Sequence, residues 1–115
     1  MTIVTRYLFI VSMDVAPECE ALFNEVYDHE HIPYLMQVPG VRGVSRLKGE
    51  PFKLAIGGEV KRMEAPSPIY TALYEIDGPE VLTSPEWSAA VERGRWSGEV
   101  RPHTSSRRHA LMRVI

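Results

Sequence analysis

Phe23-Asn24-Glu25-Val26-Tyr27-Asp28-His29-Glu30-His31-Ile32-Pro33-Tyr34-Leu35-Met36-Gln37-Val38-Pro39-Gly40 is the stretch on which the fold turns. Phe23, Tyr27 and His31 recur every four residues, the spacing that brings side chains onto one helical face. Cys19, Leu22 and Val26 extend the apolar stripe, while Glu18, Glu20 and Glu25 can face water. Pro17 suits the first helical turn, where its missing amide proton is not needed. Pro33 disfavours helical geometry at Ile32, so a break or kink is expected there. Tyr34 to Val38 forms a further turn, and Pro39-Gly40 stops it. The stretch therefore predicts a helix that ends in a knot of titratable and aromatic side chains.

Strands flank it. In Tyr7 to Met13 the residues Tyr7, Phe9, Val11 and Met13 share one face, with Leu8, Ile10 and Ser12 on the other. A half-buried strand alternates apolar with polar, whereas here both faces are largely apolar and both need cover. Val41 to Leu47 reads as a second strand, with Arg42, Arg46 and Lys48 on one face and Val41, Ser45 and Leu47 on the other. Lys48 to Pro68 is rich in Gly and Pro, and Gly57-Gly58 inside it has the form of a two-residue hairpin turn. A flap extending from the second and third strands is expected there, with a disordered surface loop as the alternative. Ile69 to Ile76 is a third long strand, apolar on both faces. Ser84-Pro85 opens a second helix as N-cap and first-turn proline, with Trp87, Ala90, Val91 and Gly94 as its buried stripe. After a polar stretch from Ser97 to Ser106, Arg108 to Ile115 closes the chain as a strand.

The order is β-α-β-β-α-β. Right-handed crossovers then give an α+β, ferredoxin-like domain: a four-stranded antiparallel sheet with both helices on one face. No helix remains for the second apolar face, so a homodimer through that sheet face is expected. All 115 residues read as a single domain.

Composition excludes several classes. With 13 Lys and Arg against 15 Asp and Glu, the net charge of -2 leaves no basic excess for nucleic acid. The single cysteine, Cys19, cannot form an intramolecular disulfide, which suits a reducing compartment. The apolar run near the start is too short for a membrane span. A soluble, cytoplasmic chain with no nucleic-acid or membrane partner is the expectation.

The pattern Phe23-x-x-x-Tyr27-x-x-x-His31-x-Pro33, followed by Pro39-Gly40-Val41, resembles the EthD-like branch of the dimeric α+β barrel superfamily. The resemblance covers roughly the first 47 residues, and the remainder agrees in the order of elements. It implies a homodimer whose paired sheets form a barrel, with a small-molecule pocket in each protomer between sheet and helices. It also implies cofactor-free chemistry of isomerase, cyclase or oxygenase type on oxygenated rings or polyketide-like carbonyl compounds. His31 matches the histidine that lines the active pocket of related lactone isomerases. The Lys48 to Pro68 insertion is longer than a minimal hairpin.

The residues themselves allow a functional and a structural role at each position. His31 titrates near neutrality and suits a general acid or base; it would equally cap a helix end, where its cation favours the dipole. Asp28 and Glu30 would raise the histidine pKa values if they came close. Tyr27 and Tyr74 can donate to a ligand oxygen or satisfy core polar groups. Trp96 is a pocket wall or a core aromatic. Arg46 is a candidate for a ligand carboxylate, and so are Arg101, His103, Arg107 and Arg108. His29 falls away from His31 on an intact helix and reads as its solvated partner. His29-Glu30-His31 makes a poor metal site, because alternate helical residues do not converge. No phosphate loop, nucleophile elbow or dinucleotide fingerprint occurs. Two functions follow: a cofactor-independent enzyme using His31, or a non-catalytic binding protein that serves a partner enzyme.

Overall fold

The computed structural model describes residues 3–115. Strands β1 (Tyr7–Val15), β2 (Val41–Lys48), β5 (Tyr70–Ile76) and β6 (Thr104–Arg113) form an antiparallel sheet in the order β2-β5-β1-β6. That is the ferredoxin-like order. The Gly57-Gly58 turn joins β3 (Phe52–Ile56) to β4 (Glu59–Met63) in a separate two-stranded hairpin. Both glycines have positive φ, 61° and 79°, as a tight hairpin turn requires. The expected flap is therefore a projecting arm.

Helices α1 (Glu20–Val26), α2 (Ile32–Leu35) and α3 (Pro85–Ala90) pack against one face of the sheet. Val11, Met13, Tyr70, Ala72, Tyr74 and Ile76 supply the sheet side of the core. Phe23, Val26, Leu35, Val81, Ala90, Trp96 and Val100 meet them from the other side. Alternation sends Leu8, Ile10 and Leu73 to the opposite face, where they are only half-buried.

Four expectations are corrected. The helix does not break at Ile32; it widens into a π turn over Tyr27–His31 and continues as α2. The Ile32 amide donates to the Tyr27 carbonyl, five residues back. Pro33 has no amide to donate and its ring crowds the turn before it, and a widened turn relieves both without ending the helix. In β2, the pairing with β5 slips between Val41 and Gly43, so Val41 joins the core while Val44, Arg46 and Lys48 share the helix-side face. The second helix stops at Ala90, and Gly94 lies exposed beyond it at φ 70°. Finally, Trp96–Val100 forms another π turn, and the last strand begins at Thr104 rather than Arg108.

Candidate functional site

A cavity of about 420 Å³ opens between the sheet and the helices. Phe9, Val11 and Met13 line it from β1, with Leu35, Trp87 and Val91 from the helical layer. Tyr27, His31, Tyr74 and Trp96 form its buried end, while Arg101, Arg107 and His109 bring polar groups to its walls. Its size and mixture of aromatic walls with few polar groups suit a small organic ligand.

His31 is 5 % exposed. Its ring stacks on Trp96, with centroids 4.4 Å apart and planes at 20°, and meets the Tyr27 ring edge-on at 5.0 Å. Nδ1 is sealed from solvent and has no hydrogen-bond partner among the described residues, which leaves Nε2 as the nitrogen open to the cavity. Burial pushes the pKa down to about 4; the Arg101 charge adds to this and Glu92 opposes it. The imidazole is therefore neutral at pH 7. The expected carboxylates do not raise it, because they are engaged elsewhere. Asp28 accepts from Arg46 at 2.9 Å, and Glu30 accepts from the Arg95 amide at 2.9 Å and its guanidinium at 2.6 Å. Nor does His31 cap a helix end, since the helix runs on through α2.

The hydroxyls of Tyr27 and Tyr74 lie 2.5 Å apart, both buried. Two hydroxyls carry two protons and use one between them, so the pair holds one further donor for a ligand oxygen. Burial raises the Tyr27 pKa to about 12 and pushes that of Tyr74 well above its usual value, so both stay protonated. Buried Tyr27, His31 and Trp96 come from two π turns that Glu30 and Arg95 tie together. A Cβ at Gly94 would lie 2.6 Å from Glu30 Oε1 and 2.9 Å from the Tyr34 ring, so the close approach requires glycine.

Of the residues singled out in the sequence, Tyr27, His31, Tyr74 and Trp96 meet at this cavity together with Arg101 and Arg107, whereas His103 and Arg108 do not line it. Arg46 does not line it. Its guanidinium lies 4.7 Å from the centroid of the Tyr27 ring, and donates to Asp28 and Asn24. It lines a separate cavity of about 320 Å³ with Asn24, Leu47, Lys48 and Tyr70. His29 is exposed and lines neither cavity. Among the described residues no cluster of three His, Cys, Asp or Glu could hold a metal ion. Phe9, Trp87 and His109 were not anticipated as site residues. Their proximity depends on the β1–β6 register, which pairs Val11 with His109 and Phe9 with Leu111.

No protein-family model and no curated protein matches the chain. Solved structures do. An ethyl tert-butyl ether D (EthD) family protein from Bacillus halodurans superimposes with a TM-score of 0.57 at 16% identity, covering 95% of this chain and 99% of that one. MhuD, a haem degrader from Mycobacterium tuberculosis with two haems in its active site, gives 0.58 at 13% identity, covering 95% of each chain. An MhuD variant with two manganese protoporphyrin IX molecules per active site gives 0.61 at 14% identity, covering 95% of this chain and 94% of that one. This chain shares their ferredoxin-like α+β fold.

Proposed function

We propose that the cavity takes an oxygenated ring or polyketide-like carbonyl compound, and that His31 exchanges a proton with it without a resident cofactor. The supporting observation is the imidazole itself: buried, stacked, unpaired on Nδ1, and open at Nε2 beside a hydroxyl pair with a proton to spare. In this reading the pair Tyr27 and Tyr74 binds the ligand oxygen and stabilises charge that builds there. Nε2 gives or takes the proton, in an isomerase-, cyclase- or oxygenase-type step.

A second reading rests on the pKa of about 4. A neutral imidazole holds a ligand oxygen by a hydrogen bond as readily as it transfers a proton, which suits a non-catalytic binding protein. A ligand screen followed by a turnover assay on each hit separates the two. If His31 transfers a proton, the folded His31→Gln variant should turn over about 10²–10⁴-fold more slowly than the unaltered protein. Normal turnover by that variant would remove His31 from the mechanism, and binding with no turnover at all favours the second reading. Haem belongs in the same screen because MhuD holds it, and His31 Nε2 is the ligand this cavity would offer to iron. A haem absorbance shift lost in His31→Ala would replace the cofactor-free reading.

The outer sheet face supports a homodimer. Ile10 pairs with Leu73 and Ala110 at its centre, and Leu47 and Met112 stand exposed on the flanking strands. Sedimentation at twice the chain mass is expected at low micromolar concentration. Ile10→Glu should give a folded monomer, and a folded monomer of the unaltered chain would sink the dimer.

A further inference from the structure

Arg107 reaches the cavity through an irregularity in β6. Thr104 pairs with Val15 and Ser105 with Asp14, but Arg108 pairs with Ser12, so Ser106 and Arg107 together stand against Met13. Ser106 sits at φ 53°, a left-handed conformation that non-glycine residues seldom adopt. Simple alternation from Thr104 would have placed Ser106 on the cavity face and Arg107 on the outer face. The extra residue reverses this, and Arg107 joins His109 on the cavity wall. A strained bulge that redirects one cation into a cavity calls for a role for that cation.

The surroundings suit an anion. Among the described residues no carboxylate lines the cavity. Arg101 is already engaged: its guanidinium donates to Glu92 at 3.0 and 2.6 Å and to the Val91 carbonyl at 3.0 Å. Arg107 has no hydrogen bond or ion pair among the described residues. Beside it, the His109 ring lies nearly parallel to Phe9, at 17° with centroids 6.0 Å apart, and Trp87 meets Phe9 edge-on at 5.8 Å. These walls favour a flat ring system, and the hydroxyl pair with His31 supplies an oxygen site at the buried end.

We propose that the ligand of this cavity is a flat ring compound carrying a carboxylate, and that Arg107 binds that carboxylate. This rests on the reading of the cavity as a ligand site and names the substrate class. Arg107 then sets orientation: the acidic group stays with the guanidinium, and the ring oxygen points to Tyr27, Tyr74 and His31. A guanidinium suits the role, because its planar fork matches two carboxylate oxygens.

Calorimetric titration of the full chain with para-hydroxycinnamate and with its methyl ester tests this directly. The acid should bind about tenfold more tightly than the ester, as a charge-assisted hydrogen bond at a half-open site allows. Arg107→Gln should bring the ratio close to one, and Arg107→Lys should keep part of the preference. Arg108→Gln, on the outer face, should keep all of it. Equal affinities in the unaltered protein, no measurable binding of the acid, or a ratio that survives Arg107→Gln would each overturn the assignment. Turnover plays no part in the ratio, so a failure of proton transfer would leave it standing.

Discussion

The π turns at Tyr27–His31 and Trp96–Val100 meet face to face at the cavity, yet they have different origins. The first lies inside a continuous helical run, two residues before the proline that makes a regular turn costly. The second stands outside α3, after the exposed Gly94 turn, and buries Trp96 and Val100. Its position depends on partners distant in sequence, since Glu30 grips both the amide and the guanidinium of Arg95. One widened turn is thus a local solution to a proline, and the other is held by tertiary contact. Their meeting puts Trp96 flat against His31.

The largest effect should come from deleting His29, which is exposed. A π turn is an α-helix with one residue too many, so the deletion restores a regular turn, at the cost in stability that Pro33 imposes on one, and moves His31. Far-UV circular dichroism should stay close to that of the unaltered protein; if His31 transfers a proton as proposed, turnover should fall by about 10²–10⁴-fold, as for His31→Gln. Retained activity would show that the widened turn does not position His31.

Acid should act next. The His31 pKa is about 4, below the ordinary 6.5, so unfolding takes up a proton between those values. The stabilisation is fully present above pH 6.5 and is lost as pH falls toward 4. Denaturant unfolding should show a loss of about 3 kcal/mol across that window, and His31→Gln should remove that slope. The carboxylates of Glu20, Glu30, Asp77 and Glu92 are held below their ordinary values, so their contributions are lost at lower pH.

Gly94→Ala tests the second turn. It forces a side chain into left-handed backbone and against Glu30 and Tyr34, so it should cost about 1–2 kcal/mol in a urea titration. The smallest effect is expected from Glu30→Gln, which keeps the shape of the side chain and removes its charge. Stability should drop less than in Gly94→Ala, with a shift in tryptophan emission as Trp96 loosens from His31. Unchanged emission would mean that the buried packing of Trp96 and Val100 fixes the second turn without the Glu30–Arg95 tie.

Much of this architecture was legible in the chain. Two-faced apolar strands and a four-residue spacing of Phe23, Tyr27 and His31 were enough to derive the sheet with its helical layer, because those periods are direct consequences of backbone geometry. The Gly57-Gly58 turn was equally plain, since few residue pairs accept positive φ twice. The same spacing brought Tyr27 and His31 together, and the cavity adds Tyr74 and Trp96.

Other features depended on tertiary structure. A β-strand shows its alternation but not its register, so the bulge that turns Arg107 inward and the slip that buries Val41 had no local signature. Charge partners were equally hidden: Asp28 and Glu30 flank the histidines in sequence, but Arg46 and Arg95 claim them in space. Burial then sends the His31 pKa in the opposite direction from the one its neighbours suggested. Period and turn chemistry are properties of neighbouring residues, and the chain alone determined them. Register, pairing and desolvation depend on residues far apart in the chain, and folding alone decided those.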